Sequence, residues 1–151
     1  MLVGIISDTH GLMRPQALAA LRGSDLIIHA GDVGRPEVLD DLRGLAPVFA
    51  VRGNIDTQPW SRRLPETAAV PVGKLLLLVL HDIATLEAGT VPRFAAVIFG
   101  HSHKPSVETR DGTLFLNPGS AGPRRFRLPV TIARLRMRGR TLDPEIVELD
   151  L

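Results

Sequence analysis

Short apolar runs recur along the first half of the chain, and each ends at a glycine or a polar side chain. The first three runs lie at residues 2–7, 25–29 and 47–51, and segments of helical character at 15–21 and 36–42 separate them. Both helical segments begin with proline and are followed closely by glycine, as helix first turns and helix ends often are. This strand–helix alternation predicts parallel strands joined by right-handed crossovers.

The pattern then continues with two further apolar runs and changes to hairpins. Residues 74–80 form the most apolar stretch, and residues 95–100 end in glycine. Between them, Gly89 and Pro92 limit any helix to about residues 83–88. Beyond residue 105, turn signals at Asp111-Gly112 and Gly139 predict hairpin strands at 106–109, 113–116, 130–138 and 140–149. No linker or repeat interrupts the pattern, so we expect one domain over residues 1–151.

Polar side chains of the kinds that bind metal ions stand at the ends of five predicted strands. A lone His-x-His motif such as His101 to His103 is weak evidence of a metal site. However, four of the 5 histidines of the chain lie at strand ends. Sites in open α/β sheets form beyond the carboxyl ends of the strands. We therefore expect one shared region for Asp8, His10, Asp32, Asn54, His81, His101 and His103.

This set of nitrogen and oxygen ligands is too large for one tetrahedral zinc ion and suits two metals that share a carboxylate. Mixed imidazole and oxygen ligands favour Mn, Fe, Zn, Co or Ni over a bare Mg site. Two divalent ions carry four positive charges, of which Asp8 and Asp32 neutralise two. The remaining positive field would hold a bridging hydroxide and attract a phosphoryl group. The pattern thus indicates phosphoester chemistry.

Composition narrows the function classes further. The chain has no cysteine, which excludes thiolate zinc sites, iron–sulfur clusters and disulfides. With net charge +2, one Trp, no Tyr and five Phe, it has few platforms for nucleic-acid stacking, so a long polymer substrate is not expected. No apolar run approaches the roughly 20 residues that span a bilayer, and no export signal precedes the first strand. We expect a cytoplasmic protein without membrane contact.

The strand-end blocks, taken in order, resemble those of the calcineurin-like metallophosphoesterase superfamily: Asp8-Thr9-His10, Gly31-Asp32, Gly53-Asn54, His81 and Gly100-His101-Ser102-His103. Residues 51–56 and 117–120 are similar to its compact YfcE-type branch. The resemblance covers residues 2 to about 150. It implies an α/β fold, a four-layer αββα sandwich of two mixed β-sheets flanked by helices.

The resemblance also implies a hydrolase of the phosphodiesterase type that acts on a small phosphoester, with a hydroxide between two divalent metals attacking phosphorus. Mn²⁺ is the ion expected first, and Ni²⁺, Zn²⁺, Fe²⁺, Co²⁺ and Mg²⁺ are alternatives. Asp8, His10, Asp32 and Asn54 are the residues expected to be catalytic. One ion would be held by Asp8, His10, Asp32 and His103, and the other by Asp32, Asn54, His81 and His101. A homodimer is compatible with this branch.

Two positions depart from the family pattern. Ile55 stands where many larger members have a histidine, and the loss of such a general acid costs roughly 10²–10⁴-fold in rate. Asp82 follows His81 where glycine is usual, and it would either orient a ligand histidine or crowd the substrate. Ile55 leaves an alternative function open: a non-catalytic protein-binding scaffold of the same fold, like the metallophosphoesterase-fold subunit of retromer.

Several further residues have two interpretations. Arg52 would hold a phosphate oxygen or pair with an acid, and Asn117 and Ser120 are also expected at the substrate. His29 inside the second strand is interpreted as a core hydrogen-bonding histidine, with a metal ligand as the alternative. Asp56 would either accept a hydrogen bond from a nearby loop close to the site or cap a turn. Four arginines that alternate on one strand form a solvated face or a docking surface for an acidic partner: Arg134, Arg136, Arg138 and Arg140.

Overall fold

The structure is a computed structural model that describes residues 1–151, apart from the side chain of Ala88. Ten strands build two sheets. In chain order they are β1 (Leu2–Ile6), β2 (Leu26–His29), β3 (Val48–Ala50), β4 (Thr67–Val72), β5 (Leu75–Leu80), β6 (Ala96–Ile98), β7 (Ser106–Arg110), β8 (Thr113–Asn117), β9 (Thr131–Arg138) and β10 (Thr141–Glu148). Two helices, α1 (Pro15–Leu21) and α2 (Pro36–Arg43), follow β1 and β2.

Both sheets have five strands and are mixed. In the first sheet the order is β10-β9-β1-β2-β3, with β1, β2 and β3 parallel, β9 antiparallel to β1, and β10 antiparallel to β9. In the second sheet the order is β4-β5-β6-β8-β7, with β5, β6 and β8 parallel. The central strands of both sheets are apolar on both faces, as strands covered on both sides are.

A hydrophobic core fills the space between the two sheets. Side chains such as Val3, Ile5 and Ile28 of the first sheet meet Leu77 and Ile98 of the second, and all are fully buried. The other face of the first sheet packs against α1 and α2 through Ile6, Leu21, Ile27, Leu39 and Leu42. Each layer therefore buries the apolar side of the next, which fixes the two sheets against one another.

The outer face of the second sheet is covered differently. Two 3₁₀ turns, Ile83–Thr85 and Ala88–Arg93, lie over Leu80, Val97 and Phe115. Gly89 and Pro92 account for the absence of an α-helix between residues 83 and 93, but the second 3₁₀ turn contains both residues and extends beyond the predicted limit at residue 88. The predicted four-layer sandwich is confirmed, with 3₁₀ turns rather than α-helices in its fourth layer.

The predicted strands are confirmed within one to two residues at most ends, with one omission. Sequence analysis did not predict β4, an edge strand that contains Pro71 and pairs with β5 across a turn at Gly73-Lys74. Proline is tolerated there because an edge strand has an unpaired side.

Within the described part of the chain, none of the helices has the length and apolarity that crossing a bilayer requires. A cytoplasmic location and a homodimer stay predictions.

Candidate metal centre

The carboxyl ends of β1, β2 and β3 in one sheet and of β5 and β6 in the other lie at the same end of the sandwich. Backbone hydrogen bonds join the loops that leave these strands: Asp8 N donates to Gly31 O at 3.0 Å, His10 N donates to Asp32 O at 3.0 Å, and Gly100 N donates to His81 O at 3.0 Å. The strand-end side chains are thus brought together from both sheets.

Asp8 has one carboxylate oxygen anchored and the other free. Its Oδ2 atom accepts hydrogen bonds from Ser7 Oγ at 2.8 Å and from the backbone N–H of His101 at 3.1 Å. Its Oδ1 atom is buried and lies within 4 Å of three imidazole nitrogens: 3.3 Å from His103 Nε2, 3.7 Å from His81 Nε2 and 3.9 Å from His10 Nε2. The anchored oxygen holds the free oxygen at the centre of the histidine ring cluster.

Asp32 repeats this arrangement. Its Oδ1 atom accepts a hydrogen bond from the backbone N–H of Ile55 at 3.0 Å. Its Oδ2 atom lies 3.2 Å from His81 Nε2 and 3.5 Å from His10 Nε2. The two carboxylates therefore each present one oxygen to the imidazoles, and the anchored oxygens fix the direction of both.

The orientation of His81 shows why a cation belongs between these groups. Its Nδ1–H donates to the carbonyl oxygen of Ala30 at 2.7 Å, so the Nε2 atom of the neutral ring carries a lone pair. That lone pair points at the carboxylates of Asp32 and Asp8. Groups that can only accept hydrogen bonds face one another here, and a proton or a metal cation must lie between them.

Unsatisfied buried atoms support the same conclusion. Among the described residues, four buried side-chain atoms have no hydrogen-bond partner, and all four belong to this cluster: Asp8 Oδ1, His10 Nε2, His81 Nε2 and His103 Nδ1. Leaving such atoms unpaired costs about 1–3 kcal/mol each. Two groups of three residues have the spacing to hold an ion, Asp8-His10-His103 and Asp8-Asp32-His81. The residues present therefore fit divalent metal ions.

Backbone strain is concentrated at the same residues. Positive φ angles occur at Asp8 (56°), His10 (47°), Asp32 (55°), His101 (71°) and His103 (64°). Residues other than glycine rarely adopt this conformation, which costs roughly 1–3 kcal/mol each. The tight loops turn the side chains inward from the strand ends, and the surrounding fold stabilises that geometry.

Glycines next to the ligand positions make room for the carboxylates and the His81 ring. A Cβ atom on Gly53 would overlap Asp32 Oδ1, and one on Gly100 would overlap Ser7 Oγ and lie 2.6 Å from Asp8 Oδ2. A Cβ atom on Gly31 would lie 2.7 Å from His81 Nδ1. Close contacts with neighbouring side chains thus explain why glycine stands at these three positions of the sequence blocks.

Two histidine pairs divide the cluster. The rings of His10 and His103 have centroids 5.2 Å apart, and the rings of His81 and His101 also lie 5.2 Å apart. His101 is largely exposed, and its Nδ1 atom lies 3.2 Å from Asn54 Oδ1. The pairing agrees with the division of ligands that the resemblance implies. Asp8 is common to both three-residue groups, while Asp32 Oδ2 lies between His10 and His81, so which carboxylate bridges stays a prediction.

The protonation of the cluster follows from burial and charge. Burial raises the pKa of the Asp8 carboxyl, against the opposing charge of His81. Burial acts in the same direction on Asp32, but the neighbouring imidazole of His81 and the hydrogen bond from Ile55 outweigh it and lower the pKa of Asp32 below its ordinary value. Burial opposes protonation of His81, but the neighbouring carboxylates of Asp32 and Asp8 raise its pKa.

The residues predicted to contact substrate occupy different places. Arg52 lines a cleft beside Asn54, and its guanidinium pairs with Glu66 at 3.2 Å. Asn117 is buried and donates to Gly100 O and Ser102 Oγ, each at 3.1 Å. Ser120 is buried and donates to Asp8 O at 3.0 Å. Asn117 and Ser120 thus hold the ligand-bearing loops, and a substrate contact by any of the three stays a prediction.

Asp56 has a larger structural role than sequence analysis assigned to it. Its carboxylate accepts three backbone hydrogen bonds, from Val33 at 3.1 Å, Gly34 at 3.0 Å and Gly53 at 2.9 Å. These bonds tie the loop after β2 to the loop after β3. The predicted acceptor role is confirmed, but the three donors become visible only in the folded chain.

Asp82 caps a turn. Its Oδ1 atom accepts a hydrogen bond from the backbone N–H of Ala84 at 3.0 Å, and its Oδ2 atom lies 4.0 Å from His101 Nε2. The carboxylate that replaces the usual glycine therefore starts the 3₁₀ turn after β5 and lies at the rim of the cluster.

The sequence of the chain is similar to those of known proteins. Residues 1–140 match the family model described as the calcineurin-like phosphoesterase superfamily domain. A probable metallophosphoesterase of Methanothermobacter thermautotrophicus is 34% identical over 160 residues, which cover 97% of this chain and 92% of that protein.

Solved structures share the fold. An archaeal phosphodiesterase superposes with a TM-score of 0.81 at 23% identity, over 97% of this chain and 100% of that one. The Escherichia coli phosphoesterase YfcE gives 0.72 at 22% identity, over 99% and 100%. Vps29 of Chaetomium thermophilum gives 0.78 at 18% identity, over 99% and 97%. At these identities the likeness concerns the fold, while the family match and the metallophosphoesterase relative go further: the chain belongs to the calcineurin-like phosphoesterase superfamily.

Proposed function

We propose that this protein is a metal-dependent phosphodiesterase that hydrolyses a small phosphoester with two divalent ions at the candidate metal centre. One observation carries the proposal: among the described residues, the four buried side-chain atoms without a hydrogen-bond partner all belong to this cluster, on Asp8, His10, His81 and His103. Asp8, His10, Asp32, His81 and His103 would hold the ions, which when bound would supply the acidification of a water molecule and the neutralisation of negative charge that phosphoester hydrolysis needs.

The chain's own residues have separate tasks in this proposal. Asp8 and Asp32 supply negative charge, and their anchored oxygens hold each carboxylate in one direction. His81 is held by Ala30 in the tautomer that presents Nε2. Asn54 and His101 lie on the exposed side of the centre, from which a phosphoester would enter. Preorganisation of this kind lowers the reorganisation needed during the reaction.

The preference for a diester is supported by the resemblance to the compact branch and by the shared fold of the archaeal phosphodiesterase. Ile55 stands beside Asn54, is 40% exposed, and has no proton to transfer to a leaving group. We therefore expect the highest rates with esters whose leaving group departs without protonation.

Hydrolysis of bis-p-nitrophenyl phosphate with added Mn²⁺ tests the proposal. Asp32→Ala should lower kcat/KM by at least about 10³-fold, because one change removes both the carboxylate and its contacts to two histidines. Asp40→Ala is the matched control, since Asp40 is exposed and pairs only with Arg43 on the surface of α2. Equal rates for the wild type and Asp32→Ala would refute the proposal.

The alternative of a non-catalytic binding scaffold is favoured by Ile55 and is compatible with the fold shared with Vps29. It predicts that the wild-type protein binds Mn²⁺, as measured by isothermal titration calorimetry, yet shows no hydrolysis of aryl diesters with Mn²⁺, Ni²⁺, Zn²⁺ or Co²⁺. Hydrolysis that depends on the metal and on Asp32 would exclude this alternative.

A further inference from the structure

An open cleft of about 910 Å³ lies beside the candidate metal centre. It is lined by Ser102, Lys104, Arg125, Phe126, Arg127 and Leu128. One side belongs to the loop that carries His101 and His103, and the other belongs to the segment between β8 and β9. The cleft thus begins where the ligand loop ends, and its size is in the range of small-molecule sites, roughly 300–1,000 Å³.

Phe126 is placed in this cleft in an unusual way. Its side chain is 94% exposed, whereas Phe94 and Phe115 are 8% and 6% exposed. Its backbone adopts φ 52°, a strained conformation for a residue other than glycine. A phenylalanine that packs against another group buries about 150–250 Å². The fold therefore presents a large aromatic surface to solvent at a backbone position where glycine would be less strained.

Positive charge surrounds this ring. Lys104, Arg125 and Arg127 all line the cleft. Ser102 and Lys104, the two chain neighbours of His103, line the same cleft as Arg125. A ligand that reaches from the metal centre into the cleft would therefore meet both cationic side chains and an aromatic ring.

We propose that the cleft binds the second ester group of a phosphodiester, with a planar aromatic ring such as a nucleobase stacked on Phe126 and with Arg125 attracting the nonbridging oxygens of the phosphate at the adjacent metal centre. This proposal deepens the proposed function and rests on it, because it names the substrate class as nucleoside-bearing phosphodiesters. A single exposed aromatic ring provides a platform for one base, which agrees with a small substrate and not with a long strand.

The adjacent metal centre and the charge favour this occupant over a protein surface. A phosphodiester is anionic, and its phosphorus must lie at the centre while its two ester groups point away from it. The cleft is a cationic space next to the loop that carries His101 and His103, so it favours the approach of an anionic diester and has room for one of its two ester groups. Stacking of one base on an aromatic side chain contributes about 5- to 100-fold in affinity.

Two substrates with the same leaving group test the proposal in the Mn²⁺-loaded protein. Thymidine 5′-(p-nitrophenyl phosphate) carries a base on the group that stays on phosphorus, whereas methyl p-nitrophenyl phosphate carries none. Phe126→Ala should raise KM for the thymidine ester about 5- to 100-fold and leave the methyl ester within about twofold. Phe126→Trp should restore the wild-type KM for the thymidine ester. Phe49→Ala, at a phenylalanine that is 39% exposed on β3, is the matched control and should change neither.

A binding measurement separates failure of this proposal from failure of the proposed function. Fluorescence anisotropy of 1,N6-ethenoadenosine 5′-monophosphate should show weaker binding to Phe126→Ala and Arg125→Ala than to the wild type or Phe49→Ala. Hydrolysis of both esters without any effect of Phe126→Ala would overturn the cleft proposal and leave the phosphodiesterase intact.

Absence of hydrolysis, together with nucleotide binding that Phe126→Ala weakens, would overturn the proposed reaction and support the cleft. The remaining occupant, a second copy of the chain, is tested by size-exclusion chromatography. A dimer that Phe126→Ala dissociates, with nucleotide binding unchanged, would overturn the cleft proposal in favour of an interface.

Discussion

The Nε2 atom of His29 lies 3.0 Å from the hydroxyl oxygen of Thr9, and both residues are fully buried. The backbone N–H of Gly31 donates to His29 Nδ1 at 3.1 Å, so Nε2 carries the proton and donates to Thr9. Thr9 in turn donates to Val33 O at 2.8 Å. This chain of hydrogen bonds joins the segment between Asp8 and His10 to the segment on both sides of Asp32, and it needs a neutral imidazole.

Thr9→Val should therefore destabilise the fold. The substitution keeps the shape of the side chain but leaves the buried N–H of His29 without an acceptor, at a cost of about 1–3 kcal/mol. Urea denaturation measures this loss in the free energy of unfolding. Thr109→Val on the exposed strand β7 is the control and should lie within about 0.5 kcal/mol of the wild type. Equal stabilities of the two variants would show that the network is not required.

His29 should also make stability depend on pH. Burial, together with the charge of His81, lowers the pKa of His29 from 6.5 to about 3. The unfolded chain therefore takes up a proton below about pH 6.5 that the folded chain binds only near pH 3. Stability falls as pH decreases through this window, by about 1.4 kcal/mol per pH unit.

Other titrating groups contribute in the same range, so the comparison must be with a variant. His29→Asn keeps an acceptor for Gly31 but cannot be protonated. The difference in the free energy of unfolding between the wild type and His29→Asn, measured in EDTA at pH 6.0, 5.0 and 4.5, should shrink as pH falls. Parallel curves would contradict a neutral, buried His29.

The loop after β3 approaches the loop after β2 so closely at Gly53 that a larger side chain there should displace Asp32. Gly53→Ala should weaken Mn²⁺ binding by at least about tenfold, because the new Cβ overlaps Asp32 Oδ1 and the Asp32 backbone nitrogen. Gly89→Ala is the control: no atom lies within 4 Å of the added Cβ, and its backbone has no positive φ. Isothermal titration calorimetry with Mn²⁺ compares the two. Wild-type affinity in Gly53→Ala would show that Asp32 can shift without loss.

The strands and the clustering of the polar residues at their ends were predictable because both depend on local pattern. Apolar runs that are followed by Asp8, Asp32 and His81 identify β1, β2 and β5 and place these polar residues beyond the strand ends. The order of the blocks then identified the family. Composition contributed by exclusion, since a chain without cysteine has only nitrogen and oxygen ligands to offer.

Other features depend on contacts between distant segments and had no local signal. The pattern predicted one shared region for the candidate ligands, but not the contacts by which loops from two facing sheets form it, such as the hydrogen bonds from His81 to Ala30 and from His101 to Asp8. β4 was missed because Pro71 and exposed side chains weaken its alternating pattern. Two of the three hydrogen bonds of Asp56, and the bonds from His101 to Asp8 and from Ile55 to Asp32, join segments that lie 20 or more residues apart. The role of Asn117 and Ser120 in holding loops together is visible only in the folded chain, where their side chains donate hydrogen bonds to Gly100 O and Asp8 O.

The two histidine pairs predict that the centre can be emptied in halves. His103→Ala should lose the ion beside His10, and His81→Ala should lose the ion beside His101. The reason is that the two rings within each pair have centroids only 5.2 Å apart and lie beside the central carboxylates. Metal analysis after dialysis against Mn²⁺ should then give about one ion per chain in each variant and about two in the wild type. Asp32→Ala should retain fewer than either. Two ions in His103→Ala would show that this imidazole is not a ligand.

Ile55 gives the most direct test of what limits the reaction. Its backbone N–H is bonded to Asp32 Oδ1, while its side chain is 40% exposed beside Asn54, so a larger polar side chain can replace it without disturbing that bond. Ile55→His would place an imidazole where it can protonate a leaving group, a contribution of roughly 10²–10⁴-fold when the geometry is favourable. The gain should be large for methyl phenyl phosphate, whose leaving group is poor, and small for methyl p-nitrophenyl phosphate, whose leaving group is good. Ile55→Asn, which cannot transfer a proton, is the control and should leave the ratio of the two rates unchanged. An equal gain for both esters in Ile55→His would show that the imidazole acts on binding and not on proton transfer.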